Sequence, residues 1–62
     1  MASDTVREML EILQLGVTDD VAAKRLGVSV RTVRRRVAAV MELLGASSRF
    51  EAGVRAAQAG WL

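Results

Sequence analysis

The 62-residue sequence contains no cysteine, histidine, proline or tyrosine, and its aromatic side chains are one Phe and one Trp. Without Cys there is no disulfide, and without Cys or His there is no thiolate or imidazole metal staple. The same absences remove histidine acid–base pairs and thiolate nucleophiles. Catalysis would have to run on carboxylates or Lys in a pocket that so small a core can hardly enclose. No enzymatic activity, cofactor, metal or small-molecule ligand is therefore expected, and the lack of Cys fits a reducing compartment. No apolar run approaches the roughly 18 to 20 residues of a transmembrane helix, and the start, Met1-Ala2-Ser3-Asp4, lacks the charged and apolar regions of a signal peptide. On that reading the chain is expected to be soluble and cytoplasmic, with no membrane partner. A chain this short makes one domain, 1–62, and buries only about 60% of the surface that its unfolded form exposes. Compact helix packing is what remains to stabilise it, helped by a partner chain or by the rest of a longer protein.

What is present is unevenly distributed. Nine Lys and Arg against seven Asp and Glu give a net charge of +2, yet residues 1–20 carry Arg7 against Asp4, Glu8, Glu11, Asp19 and Asp20, a net −4. Residues 24–36 carry Lys24, Arg25, Arg31, Arg34, Arg35 and Arg36 with no acid, a net +6, and residues 37–62 are neutral. Positive charge gathered in one short segment of a near-neutral chain suggests an aimed anionic contact, and nucleic acid is the obvious partner.

The pattern predicts an all-α chain of four helices, at about 4–15, 19–26, 30–44 and 49–59. Ser3 is the first N-cap, followed by Val6, Met9, Leu10, Leu13 and Ile12 until Gly16. Thr18 caps the second helix, with Asp19 and Asp20 in the first turn where carboxylates meet the positive end of the dipole. That placement is a sufficient account of the two acids, which need not form a catalytic or metal pair. Val21, Ala22 and Leu26 make its apolar side before Gly27. Ser29 caps the third helix, whose stripe Val30, Val33, Val37, Val40, Met41 and Leu44 spans about a third of the circumference at about 100° per residue. Arg31, Arg35, Ala38 and Glu42 fall opposite, with Arg34 and Arg36 on the flanks. Ser48 caps the fourth helix, with Phe50, Val54 and Ala57 expected on its inner face and Trp61 as a lid on the core.

Two short helices joined through Gly27, Val28 and Ser29 form a helix-turn-helix by pattern. Ala23, four residues before Gly27, is small enough for the helices to approach. Gly27 allows the positive φ of a tight turn, and Val33 plugs the space between the helices. An ordinary helical hairpin would share these features, but it does not explain four arginines in a turn and a half with no acid at i+4, a self-repulsion that costs stability. An anionic partner explains it. The second helix of such a motif enters the major groove by its N-terminal half, where Arg reads guanine bidentately and phosphate contacts fix position.

The stretch from Gly16 to Ala52 also resembles a family. Asp20-Val21-Ala22-Ala23-Lys24-Arg25-Leu26-Gly27-Val28-Ser29, then Arg31-Thr32-Val33-Arg34, Val37, Leu43-Leu44-Gly45-Ala46 and Ser48-Arg49-Phe50-Glu51-Ala52 resemble the LuxR-type (GerE or FixJ) DNA-binding domain of bacterial transcription regulators. The resemblance implies a four-helix domain at the C-terminus of a longer regulator, with the third helix as recognition helix and the fourth as dimer contact. Arg34 matches the family's basic residue in the major groove, Thr32 a Thr near the DNA backbone, and Lys24 a phosphate contact. Arg36 stands where many members have His, Ala38 where a second basic reader is common, and Val6 where Glu is common. The first two departures shift the expected base contacts toward Arg31 and Arg35 beside Arg34. Lys24, Arg25, Ser29, Thr32 and Arg36 are the expected backbone contacts. Ala52, Val54, Arg55, Ala56 and Ala59 are the expected dimer contact, weak alone and held on adjacent half-sites of DNA; the competing expectation is that these alanines only pack on the first and third helices.

The function expected from all this is sequence-specific binding of double-stranded DNA in bacterial transcription regulation, in the cytoplasm at the nucleoid, with RNA polymerase as a candidate partner. The alternative is a helical interaction or dimerisation module whose basic face meets an acidic protein. A sigma-type promoter-reading domain is a variant of the first reading, disfavoured by the helix after Gly45.

Overall fold

Four side-chain hydroxyls start the four helices. In the computed structural model, which describes residues 3–62, Ser3, Thr18, Ser29 and Ser48 each sit in extended backbone and accept a hydrogen bond from the backbone N–H three residues on, at 3.1 to 3.3 Å. They open α1 (Asp4–Gln14), α2 (Asp19–Leu26), α3 (Val30–Leu44) and α4 (Arg49–Gln58). Each cap satisfies one of the N–H groups that a helix leaves unpaired, worth about 1 kcal/mol. The expected bounds differ only in that Leu15 and Ala59 are C-caps rather than last helical residues. Met1 and Ala2, which open the segment examined above for a leader, lie outside the described residues.

The chain is all-α. The longest helix, α3, packs against the other three, and α1 also meets α4. Met9 and Leu10 of α1, Ala22 and Ala23 of α2, Val33, Val37 and Val40 of α3 and Ala56 of α4 form one buried cluster, with Leu26, Val28, Val30, Met41, Leu44 and Trp61 half-buried around it. Val33 is 1% exposed, as its place at the crossing of α2 and α3 requires. Trp61 packs against the core, the lid expected of it, and its backbone N–H donates to the Ala56 carbonyl at 2.8 Å. The radius of gyration is 10.6 Å, against about 10.5 Å from the size scaling of folded chains. Among the described residues, no helix is long and apolar enough to cross a membrane.

Two faces turn differently from the sequence expectation. Val21, expected on the apolar side of α2, is exposed, while Ala22 and the Ala23 expected at the approach of the helices are buried. Small side chains let α2 lie close against α3, and a β-branched residue one position earlier points away. In α4 the expected inner residues Phe50, Val54 and Ala57 are all exposed, Phe50 by 83%, while Ala52 and Ala56 are fully buried. Two alanines four residues apart make a flat strip on one helix face, so α4 approaches the bundle closely and turns its bulk outward.

Candidate nucleic-acid interface

Between α2 and α3 the chain reverses in three residues. Gly27 adopts φ 68° and ψ 34°, the left-handed region, and its N–H and that of Val28 both return to the Ala23 carbonyl. An L side chain in that conformation costs roughly 1–2 kcal/mol, and Ala23 beneath it is buried. The turn delivers Ser29 as cap of α3. The Ser29 hydroxyl accepts from the Thr32 N–H at 3.1 Å and donates to Thr32 Oγ1 at 3.0 Å, which leaves the Thr32 hydroxyl proton free for an outside acceptor.

The buried stripe of α3 fixes what faces outward. Arg31 and Arg35 stand on the exposed side, Arg34 is exposed on one flank, and Arg36 is half-buried on the other. Lys24 and Arg25 are exposed on α2. Among the described residues, Lys24, Arg25, Arg31, Arg35 and Arg36 make no ion pair. Five unmatched cations on two adjoining helices form a strongly electropositive surface.

Arg34 differs from its neighbours. The absence of an acid at i+4 leaves it unpaired along its own helix, but Asp19 of α2 supplies a partner across the turn: Arg34 Nε donates to Asp19 Oδ2 at 3.3 Å. The other carboxylate oxygen, Oδ1, lies 2.8 Å from Nη2 of Arg49, the first residue of α4. Asp19 is 20% exposed and Arg34 70%. Hydrogen bonding from Arg49, foremost, lowers the Asp19 pKa below its ordinary value; desolvation opposes it, and the charge of Arg49 and the hydrogen bond and charge of Arg34 add to the lowering. Sequence spacing accounted for Asp19 only as a helix-dipole residue and gave Arg49 no partner. Arg34 is fifteen and Arg49 thirty residues away from it, and no local periodicity reports such contacts.

Of the residues expected at a dimer contact, Ala52 and Ala56 are core and offer no surface, which corrects that part of the expectation. Val54, Arg55 and Ala59 are exposed. Arg55 Nε pairs with Glu51 Oε1 at 3.2 Å, and the same oxygen accepts the Ser47 N–H at 3.2 Å. Phe50 and Val54 line an open apolar groove of about 430 Å³ with Leu10, Leu13, Gly53 and Leu62.

Against known proteins, the chain is similar to the bialaphos biosynthetic pathway regulatory protein of Streptomyces hygroscopicus, with 45% identity over 56 residues. The match takes in 90% of this chain but 22% of the relative, so the chain spans about a fifth of the length of the curated relative it matches. The chain is thus related to one segment of a regulatory protein. No family model and no solved structure matches it.

Proposed function

We propose that the chain is a sequence-specific double-stranded DNA-binding unit of a transcription regulator, of the LuxR type, with α3 in the major groove. The observation that carries this reading is the set of five unmatched cations on α2 and α3, arranged about a turn whose second helix exposes Arg31, Arg34 and Arg35 in its N-terminal half. Unmatched charges of one sign repel each other within the free domain, and a polyanion removes that repulsion. Arg31, Arg34 and Arg35 are the base readers in this proposal. Lys24, Arg25 and Arg36 contact phosphates, and Ser29 and Thr32 form a hydroxyl relay that ends in one donor at the start of α3. The relative's name, a pathway regulatory protein, supports regulation as the setting.

A second copy meets the first on adjacent half-sites in the same proposal, through the exposed face of α4 that carries Phe50 and Val54, with Arg55 and the C-cap Ala59 beside it. The exposure of a whole Phe ring beside an apolar groove favours this over an α4 that serves only the core. Selection of bound duplexes from a random pool, followed by titration of the winner against salt, tests both parts. A palindromic or directly repeated site, with affinity falling steeply as salt rises, is the expected result. Binding that is insensitive to salt, or no enrichment above the starting pool, would favour the acidic-protein alternative.

A further inference from the structure

We infer that Asp19 is a positioning residue for base reading, one that holds Arg34 by a single edge and leaves the other edge of that guanidinium to select a guanine; this rests on the DNA-binding reading above. A guanidinium has two hydrogen-bonding edges, one made by Nε with one Nη and one made by the two Nη groups. Asp19 Oδ2 occupies Nε of Arg34, so the edge with two terminal nitrogens is left without a protein partner on a side chain that is 70% exposed. Bidentate reading of guanine O6 and N7 uses one such edge. At 3.3 Å the bond is at the long limit of N–H···O geometry, so Arg34 is oriented rather than locked.

The carboxylate is itself held in place. Arg49 approaches Oδ1 at 2.8 Å, a charge-assisted distance, and thereby ties the start of α2 to the start of α4. The chain Arg49–Asp19–Arg34 uses both carboxylate oxygens. It also places a negative charge beside the proposed DNA surface, which lowers affinity for any duplex. Arg31 and Arg35, by contrast, have no protein group to orient them among the described residues. Arg34 is thus the arginine of α3 whose direction is set before DNA arrives, and it contributes selectivity more than attraction.

The test compares affinities for the selected duplex, for the same duplex changed at the base pair that Arg34→Ala ceases to distinguish, and for an unrelated duplex, at one salt concentration. Asp19→Asn has one oxygen where two are needed and one negative charge fewer. Its expected result is tighter binding to the unrelated duplex together with a fall in the selected-to-changed ratio of roughly threefold to tenfold, a part of what a bidentate contact gives. Unfolding would weaken both and cannot produce that pair of opposite changes. In an Arg34→Ala background, Asp19→Asn should leave the ratio as it is. The double variant Asp19→Asn/Arg49→Gln keeps the wild-type net charge and a hydrogen-bonding pair between α2 and α4. It should lose the ratio with generic affinity unchanged, and it provides the readout if the single variant folds poorly. A ratio untouched by either variant, while Arg34→Ala lowers it, overturns this inference alone. Failure of the wild type to discriminate between any duplexes overturns the DNA-binding reading and this inference with it.

Discussion

The face made by α2 with the N-terminal half of α3 and the face of α4 around Phe50 treat charge and apolar surface differently. On α2 and α3 the cations outnumber their partners, and five of them pair with nothing among the described residues. On α4 both arginines are neutralised, Arg49 by Asp19 and Arg55 by Glu51, and it is large apolar groups that stand exposed, with Phe50, Val54 and Leu62 around one groove. A solvated surface with no other role needs neither feature. The contrast teaches that the two sides suit different contacts, a charged one that is long-ranged and salt-sensitive and an apolar one that works only at close approach.

The most severe way to break the comparison is to remove two of the exposed arginines of α3. Arg31→Ala with Arg35→Ala should weaken binding to a selected duplex by about 2 to 6 kcal/mol if each side chain supplies one base contact of about 1 to 3 kcal/mol. The melting temperature should not fall, because both residues are exposed and unpaired. Filter binding and calorimetry on the same preparation check the two halves of that statement.

Next in size is Val33→Ala, on the buried face of the same helix, expected to cost about 1 to 2.5 kcal/mol through lost burial and the cavity left behind. In a domain of this size that is a large fraction of total stability, measurable as a lower urea midpoint. Leu10→Ala should cost more than Val33→Ala, since a Leu side chain 1% exposed is removed. The pair calibrates what damage to the core alone does to DNA affinity.

On the other side, Phe50→Ser should leave stability within about 0.5 kcal/mol, as substitutions at exposed positions do, and leave single half-site affinity unchanged. Cooperativity between two adjacent half-sites should disappear. Sedimentation with a two-site duplex reads it, and full cooperativity in the variant would return α4 to a purely structural role.

The smallest effect concerns pH. The folded Asp19 pKa is lowered by Arg49 and Arg34, so its ion pairs stabilise the fold above the pKa of the unfolded chain, about 3.9. That contribution is lost as pH falls through the lower folded value. Stability attributable to Asp19 should therefore be flat from about pH 5 upward and decline only in stronger acid, and the decline should shrink in Asp19→Asn.

Much of the fold was legible in the sequence because its determinants are local. A hydroxyl at Ser3, Thr18, Ser29 and Ser48 acts on an N–H three residues away, and the stripe on α3 is long enough to define a face. The rotation of α4 was not legible. Bulk at Phe50 and Val54 outweighed two alanines in a hydrophobic count, whereas the bundle selects the side that permits close approach, and that distance is set by residues far away in the chain. The same reason hid the Arg49–Asp19–Arg34 chain: it spans three helices and three segments, and each member alone looks like an ordinary surface charge.

The left-handed turn at Gly27 has a consequence for how the domain can be rebuilt. A Cβ added to Gly27 would meet nothing within 4 Å, so the position rejects L residues through backbone handedness alone and not through crowding. Mirror-image chirality removes that objection. A 62-residue chain is within reach of chemical ligation, and D-alanine at this site would favour φ near +68° already in the unfolded ensemble. The expected gain is the 0.4 to 1 kcal/mol, roughly, that follows from narrowing the choices of an unfolded glycine, while L-alanine at the same position should destabilise. Two epimers of identical composition would thus move the melting temperature in opposite directions.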